Sequence, residues 1–176
     1  MTAAAKARLT AIIVAAGGGT RMGGEVEKQF RLFAGKPVLA HSVEAFLQHP
    51  ATERVVVVAA ETRMDTAKAA IGDLAGDERV LITAGGDRRQ DSVRAGLALA
   101  ADDAALVAIH DAARPLLPQG IITGLVAAME ESGAHDIMAA LPVLPVTDTL
   151  KSVNDDRVIG TTPRAGLGRA QTCLLY

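Results

Sequence analysis

Residues Ala11–Lys28, AIIVAAGGGTRMGGEVEK, decide how this chain is read. The apolar, β-branched run Ala11–Val14 has the look of a buried parallel strand. It empties into Gly17-Gly18-Gly19, with Arg21 and Lys28 close behind. Glycines let backbone N–H groups approach an anion, and cations neutralise phosphate charge. A strand feeding such a loop places it at the carboxyl edge of a sheet, where open α/β folds bind ligands. A nucleotide or polyphosphate site is the first expectation. The bland alternative is a glycine turn that closes a strand, with two ordinary surface cations.

Two phosphate motifs are excluded. Gly18 and Gly23 have P-loop spacing, but Gly24 and Glu25 stand where Lys and Ser/Thr are required. The dinucleotide fingerprint fails because its third glycine falls on Met22.

The 176 residues suit one domain with a substantial core. The apolar share is 49% while aromatics supply 2%, so Ala, Val, Leu and Ile must do the packing. A net charge of −2 gives no basic field for nucleic acid or an anionic membrane. One cysteine, Cys173, excludes an internal disulfide and suits a reducing compartment. Lys6 and Arg8 before Leu9–Ala16 imitate a signal peptide, but the apolar run is short and ends in glycine. No run reaches the ~18 apolar residues of a membrane span. A soluble, cytoplasmic protein is expected.

Strand and helix patterns alternate along the chain. Pro37 suits the first turn of a helix carrying Val38, Leu39, Val43, Phe46 and Leu47. Arg54–Ala60 reads as a second strand, and Thr62 as the cap of a helix through about Ile71. Val80–Thr83 is a third strand, followed by a turn at Gly85-Gly86-Asp87. Gln90–Ala100 forms a helix with Val93, Leu97 and Leu99 on its apolar face. Leu106–Ile109 is a fourth strand; a helix then runs from Pro118 to about Ser132, stopped by Gly133. Ile137–Leu141 completes five strands. This order predicts an α/β, Rossmann-like, mostly parallel sheet flanked by helices, joined by right-handed crossovers. In the tail, Val146–Lys151 and Arg157–Thr162 pair as a hairpin around Asn154-Asp155, giving an extended β-arm near 145–166. The arm reaches a partner subunit or is a loose loop.

His110 and Asp111 leave the fourth strand on opposite faces, which disfavours a His–Asp relay. Asp111 is expected in the ligand crevice, with His110 packed behind it. A carboxylate beside phosphates calls for a divalent cation, and Mg2+ is the ion held by one or two carboxylates plus phosphates. Asp111 as a loop cap is the structural alternative. Arg114, restricted by Pro115, either holds the Asp111 loop or meets a phosphate. Gly86, Asp87 and Ser92 offer donors and acceptors for a base edge, or simply cap a helix. His41, His49 and His135 lack metal-ligand spacing with one another or with Cys173. Met22, Met64, Met129 and Met138 read as packing residues.

The combination resembles the 2-C-methyl-D-erythritol 4-phosphate cytidylyltransferase family of non-mevalonate isoprenoid biosynthesis. The resemblance rests on Ala15–Met22, Lys28-Gln29, His41-Ser42, Gly85-Gly86-Asp87 with Asp91-Ser92-Val93, His110–Pro115, Asp148-Thr149 and Gln171-Thr172. It implies that CTP and 2-C-methyl-D-erythritol 4-phosphate yield a CDP-linked product and pyrophosphate, with Mg2+. By motif match, Arg21 and Lys28 would grip the triphosphate and Asp111 would hold the metal, forming the catalytic set. Ala15, Ala16, Gly86, Asp87 and Ser92 would surround cytosine. Gly17 and Ala112 would lie near the ribose, and Gly19 completes the nucleotide-binding residues. Arg114, Thr149 and Arg164 would bind the acceptor, the last two from an arm that crosses to a second subunit, so the resemblance implies a homodimer.

Family members continue well past a Gln-Thr-Pro-Gln segment, where this chain has Gln171-Thr172-Cys173 and stops at Tyr176. The expectation is therefore one nucleotidyltransferase domain over 1–176, C-terminally truncated relative to the family. Two further readings stay open: a related nucleotidyltransferase with another phosphorylated acceptor, such as a sugar phosphate or molybdopterin, and a catalytically silent nucleotide-binding fragment.

Overall fold

A run of β-branched residues recurs on four strands, and these build the centre of the molecule. The computed structural model describes residues 8–17, 26–101, 104–131 and 138–176. In chain order the strands are β1 (Leu9–Val14), β2 (Leu32–Phe33), β3 (Lys36–Pro37), β4 (Thr52–Ala59), β5 (Val80–Ala84) and β6 (Leu106–Asp111). They continue as β7 (Val143–Pro145), β8 (Leu150–Asn154), β9 (Arg157–Thr162), β10 (Gly168–Ala170) and β11 (Leu174–Leu175). The helices are α1 (Val38–Leu47), α2 (Met64–Ile71), α3 (Arg89–Leu97) and α4 (Gln119–Glu131).

The main sheet has the order β11-β6-β1-β4-β5. Strands β6, β1, β4 and β5 are parallel, and β11 joins β6 antiparallel at the edge. Leu9, Ala11 and Ile13 face one side with Val55 and Val57, against Leu39, Val43 and Phe46 of α1 and Ala67 of α2. Ile122, Leu125 and Val126 of α4 join that same core. Ile12, Val56 and Val58 form a smaller cluster on the opposite face, where α3 packs on β1 and β4. Alternation along each strand thus supplies two apolar faces, as a sheet covered by helices on both sides requires. The α/β, mostly parallel, helix-flanked architecture is the one expected.

From β1 the sheet grows toward β4 and β5, whereas β6 is added on the other side of β1. The strand order therefore reverses between β1 and β6. At such a switch point the connecting chains leave in opposite directions and open a crevice at the carboxyl ends.

Several local expectations are corrected. Pro37 is the residue before α1, ending β3, because its extended backbone cannot enter the first turn there. Thr62 does not cap α2; it lies within the 3-10 turn Glu61–Arg63, and Arg63 precedes the helix. Leu97 is exposed, since α3 turns Ser92 and Gly96 to the sheet instead. The strand expected at Ile137–Leu141 is not formed across its described part: Ala140 makes one isolated antiparallel bridge with Leu175. The edge position beside β6 belongs to β11, and the next strand, β7, pairs with β10. Gly133 lies outside the described residues.

The arm is real but shifted. β8 and β9 pair antiparallel, closing with Asn154 opposite Arg157, so the turn is Asp155-Asp156 rather than Asn154-Asp155. Both turn residues have positive φ, 45° and 60°, the backbone of a two-residue hairpin turn that follows the strand twist. The expected first arm began at Val146; the ladder begins at Leu150 because Thr147 is instead bound by the Arg164 side chain.

Candidate nucleotide site at the carboxyl edge

The switch point brings together residues that are far apart in sequence. Val14 pairs with Asp111 in the β1–β6 register, and the Ala112 amide donates to the Val14 carbonyl at 3.1 Å. Ala15 then donates to Val58 at 2.7 Å and Gly85 to Ala59 at 2.7 Å, so β1 and β5 both leave the sheet beside β4. A Cβ built on Gly85 would lie 2.5 Å from Ser92 Oγ and 2.9 Å from the Ala16 methyl. Only a glycine permits that approach, and it packs the exits of β1 and β5 against the start of α3.

The expected base-binding residues therefore share one place. Ala15 and Ala16 stand at the β1 exit, Gly86 and Asp87 in the turn before α3, and Ser92 on its first turns. Ser92 is buried and its hydroxyl donates to the Gly86 carbonyl at 3.3 Å, while Asp87 is exposed. Ala112 is buried at the end of β6, and its carbonyl accepts from Ser42 of α1 at 3.4 Å. Gly17 is exposed at the mouth of the β1 loop. Gly19 and Arg21 lie outside the described residues.

Lys28 opens a 3-10 turn, Lys28–Phe30, whose position is set by Gln29. Gln29 is 5% exposed, and its amide nitrogen donates to the carbonyls of Ala15 at 2.9 Å and Gly17 at 3.3 Å. Glu27 accepts from the same nitrogen at 2.8 Å and from Arg63 at 3.0 Å. One buried amide thus fastens the lysine turn to the glycine loop. Hydrophobic patterning is blind to such a residue; its signal was its position between the lysine and a phenylalanine, beside the glycine run.

At the β6 end the two neighbours divide as expected. His110 is 1% exposed, edge-on to Phe46 at 5.5 Å between ring centres, with Nε2 3.0 Å from the Arg114 carbonyl. Burial holds its pKa below the ordinary imidazole value, against the opposing pull of that carbonyl and of Asp111. A neutral ring that donates from Nε2 leaves Nδ1 as a buried atom without a hydrogen-bond partner. Asp111 lies on the α3 face, half-exposed, where Arg89 Nη2 donates to Oδ1 at 2.9 Å.

Arg114 holds the Asp111 loop, the first of its two expected roles. Its amide donates to the Asp111 carbonyl at 3.0 Å, and its guanidinium lies 3.8 Å from Asp111 Oδ2. The same side chain donates to Gln171 Oε1 at 2.9 Å. Thr172 accepts from the Asp111 amide at 3.2 Å, so the last residues of the chain buttress this loop. Arg114, Gln171 and Thr172 also line a cavity of about 250 Å³ with His110, Leu117 and Val143. Cys173 is buried behind the loop, and burial together with the Asp111 charge pushes its thiol up to about 12.

Thr149 and Arg164 are not part of this edge cluster. Thr149 is exposed just before β8, and Arg164, also exposed, donates to the Thr147 carbonyl just after β9. The two sit together at the base of the arm.

The described residues contain no group of three or more His, Cys, Asp or Glu side chains arranged to hold a metal ion. At the end of β6, beside the β1 exit, the edge offers the half-exposed carboxylate of Asp111. That donor set suits Mg2+, which keeps waters and takes further oxygens from substrate phosphates.

Fold and site together define an open α/β protein whose switch point sets the exit of β1, at Ala15–Gly17, beside the Asp111 carboxylate at the end of β6. The chain belongs to the IspD family, 2-C-methyl-D-erythritol 4-phosphate cytidylyltransferase, whose sequence model matches residues 9–176. It is 46% identical over 168 residues to the bifunctional enzyme IspD/IspF of Rhizorhabdus wittichii, covering 95% of this chain and 41% of that one. It is 40% identical over 169 residues to the 2-C-methyl-D-erythritol 4-phosphate cytidylyltransferase of Frankia casuarinae, covering 96% and 60%. The chain thus spans roughly half the length of these curated relatives.

Solved structures agree on the architecture. The 4-diphosphocytidyl-2C-methyl-D-erythritol synthase of Anaerococcus prevotii superimposes with a TM-score of 0.79 at 22% identity, over 97% of this chain and 70% of that one. The 2-C-methyl-D-erythritol 4-phosphate cytidylyltransferase of Thermus thermophilus gives 0.70 at 28% identity, over 96% and 70%.

Proposed function

We propose that this chain carries the nucleotide site of an enzyme that transfers a cytidylyl group from CTP to 2-C-methyl-D-erythritol 4-phosphate, releasing pyrophosphate. The observation that carries the proposal is the Val14–Asp111 pairing, which sets the exit of β1 beside the aspartate at the switch point. Family membership supports the identity of the nucleotide and the acceptor.

In this reading the acceptor's phosphate oxygen attacks the α-phosphorus of CTP in line, and pyrophosphate leaves. No covalent enzyme intermediate is required, so catalysis is positioning plus stabilisation of charge that grows on the phosphoryl oxygens. Lys28, held beside the loop by Gln29, and Arg21 neutralise that charge. Ala15, Ala16, Gly17, Gly19, Gly86, Asp87, Ser92 and Ala112 seat the nucleoside, and Arg114 fixes the loop against which the acceptor lies. Asp111 is the protein ligand for Mg2+. Bound magnesium supplies charge neutralisation to the triphosphate.

The arm favours a homodimer. Val158 and Ile159 sit side by side on β9, where the ladder register shifts, and they are 63% and 67% exposed. A second copy is the cover proposed for this exposed apolar surface, with Thr149 and Arg164 delivered to its acceptor site. No nucleic-acid partner is invoked. No helix among the described residues is long and apolar enough to cross a membrane. A reducing, cytoplasmic setting suits the single buried thiol.

Pyrophosphate release from CTP and Mg2+ tests the reading when acceptors are compared. Turnover is expected with 2-C-methyl-D-erythritol 4-phosphate and not with sugar phosphates; the reverse preference would overturn it.

A further inference from the structure

Both oxygens of the Asp111 carboxylate face cations: Arg89 Nη2 lies 2.9 Å from Oδ1 and Arg114 Nε lies 3.8 Å from Oδ2. The two arginines are held differently. Arg114 is anchored through Gln171, its own amide and the Pro115 ring that follows it, and its carboxylate contact is long. Arg89 comes from the first residue of α3, and its side chain is 56% exposed. Its neighbour Arg88 is engaged elsewhere, with Asp91 at 2.9 Å, so Arg89 alone crosses from α3 to β6. The short contact places a positive charge on the carboxylate oxygen that a metal would also seek.

We propose that Arg89 is the resident counter-ion of Asp111, holding the carboxylate in place until a divalent cation displaces it. The inference rests on the reading of Asp111 as a metal ligand and adds a positioning residue to it. A guanidinium and a divalent ion at the same carboxylate repel each other, so the two compete, and the cost of loosening the ion pair is subtracted from metal binding. Arg89 would keep Asp111 from turning away in the nucleotide-free chain and would leave as a free cation when the metal arrives. Exposed pairs of this kind have modest strength, so the competition tunes affinity without blocking it.

Mn2+ alone, titrated into isotopically labelled protein, reads this out through paramagnetic broadening of the Asp111 and Ala112 amides. Arg89→Gln should tighten the apparent Mn2+ dissociation constant by about two- to fivefold, within the upper part of the range that an exposed ion pair sets. Arg89→Lys, which keeps the charge, should stay within about twofold of the parent chain. A merely structural role would not tighten metal binding. Broadening that vanishes in Asp111→Asn but has the same midpoint in Arg89→Gln overturns the inference and leaves Asp111 as the ligand. Broadening that is absent from the parent chain, or survives in Asp111→Asn, overturns both.

Discussion

The amide of Ala112 donates to the carbonyl of Val14 across 3.1 Å, one step beyond the last paired residues of β6 and β1. That bond closes the ladder, so Ala15–Gly17 at the β1 exit and the Asp111 loop leave the sheet side by side, registered by backbone rather than by flexible side chains. Sites carried by rigid elements hold their geometry best. Here the register of two central strands sets the β1 exit beside Asp111, with Ser42 supporting Ala112 from α1.

Gln29 supports the other side of the crevice. A carboxylate in its place would face the Ala15 and Gly17 carbonyls and Glu27 with acceptors only. Gln29→Glu should weaken CTP binding by about tenfold or more and lower stability by about 1–3 kcal/mol, the cost of an unsatisfied buried group. Calorimetry with CTP and urea denaturation measure the two effects. Gln29→Ala, which lacks the repulsion, should bind CTP better than Gln29→Glu.

Gly96 controls how closely α3 approaches the sheet. An added Cβ would lie 2.5 Å from Ile12 Cγ2 and 3.1 Å from Val58 Cγ2, both in the buried cluster. Alanine favours helix over glycine by up to about 1 kcal/mol, but overpacking costs about 1–3 kcal/mol. Gly96→Ala should therefore be destabilising in a urea titration. Because α3 carries Ser92, CTP binding should weaken as well.

Acid should loosen the core through His110. Its folded pKa lies below the unfolded value of about 6.5, so protons bind the unfolded chain preferentially in that interval. The contribution is complete above about pH 6.5 and is lost as pH falls toward the depressed folded pKa, by at most about 1.4 kcal/mol per pH unit. Urea midpoints from pH 7.5 downward should show this fall, and His110→Gln should flatten it. Asp77 titrates in a separate, more acidic window: the Arg79 hydrogen bonds hold it at about 2, so its stabilisation is lost only below the usual carboxylate range.

Ile159→Asp probes the arm. If a second copy covers β9, a charge at this exposed apolar position should shift the chain toward monomer in sedimentation equilibrium and make its urea midpoint independent of protein concentration. A parent chain that already sediments as a monomer at tens of micromolar would contradict the dimer.

Much of this was readable along the chain. Val14, Gly17 and Asp111 follow from apolar runs that end in chemistry-bearing residues, and strand alternation alone separates His110 from Asp111. What escaped depends on contacts distant in sequence. The run Ile137–Leu141 has strand composition, yet the place beside β6 is taken by Leu174–Leu175, which no local window contains. Leu97 looked buried because apolar scoring ignores glycine, whereas Gly96 faces the sheet by having no side chain. Arg89 and Asp111 are joined only once α3 and β6 are laid on the same face. Thr149 and Arg164 matched the family pattern but stand apart from the crevice, on the arm.

Calorimetry of CTP binding, with and without Mg2+, in the parent chain and in Asp111→Asn is the most direct measurement of the shared site. Metal should strengthen CTP binding in the parent chain, and that gain should largely disappear in the variant while metal-free binding is retained. Equal enhancement by Mg2+ in both proteins would contradict convergence of the glycine turn and Asp111 on one triphosphate.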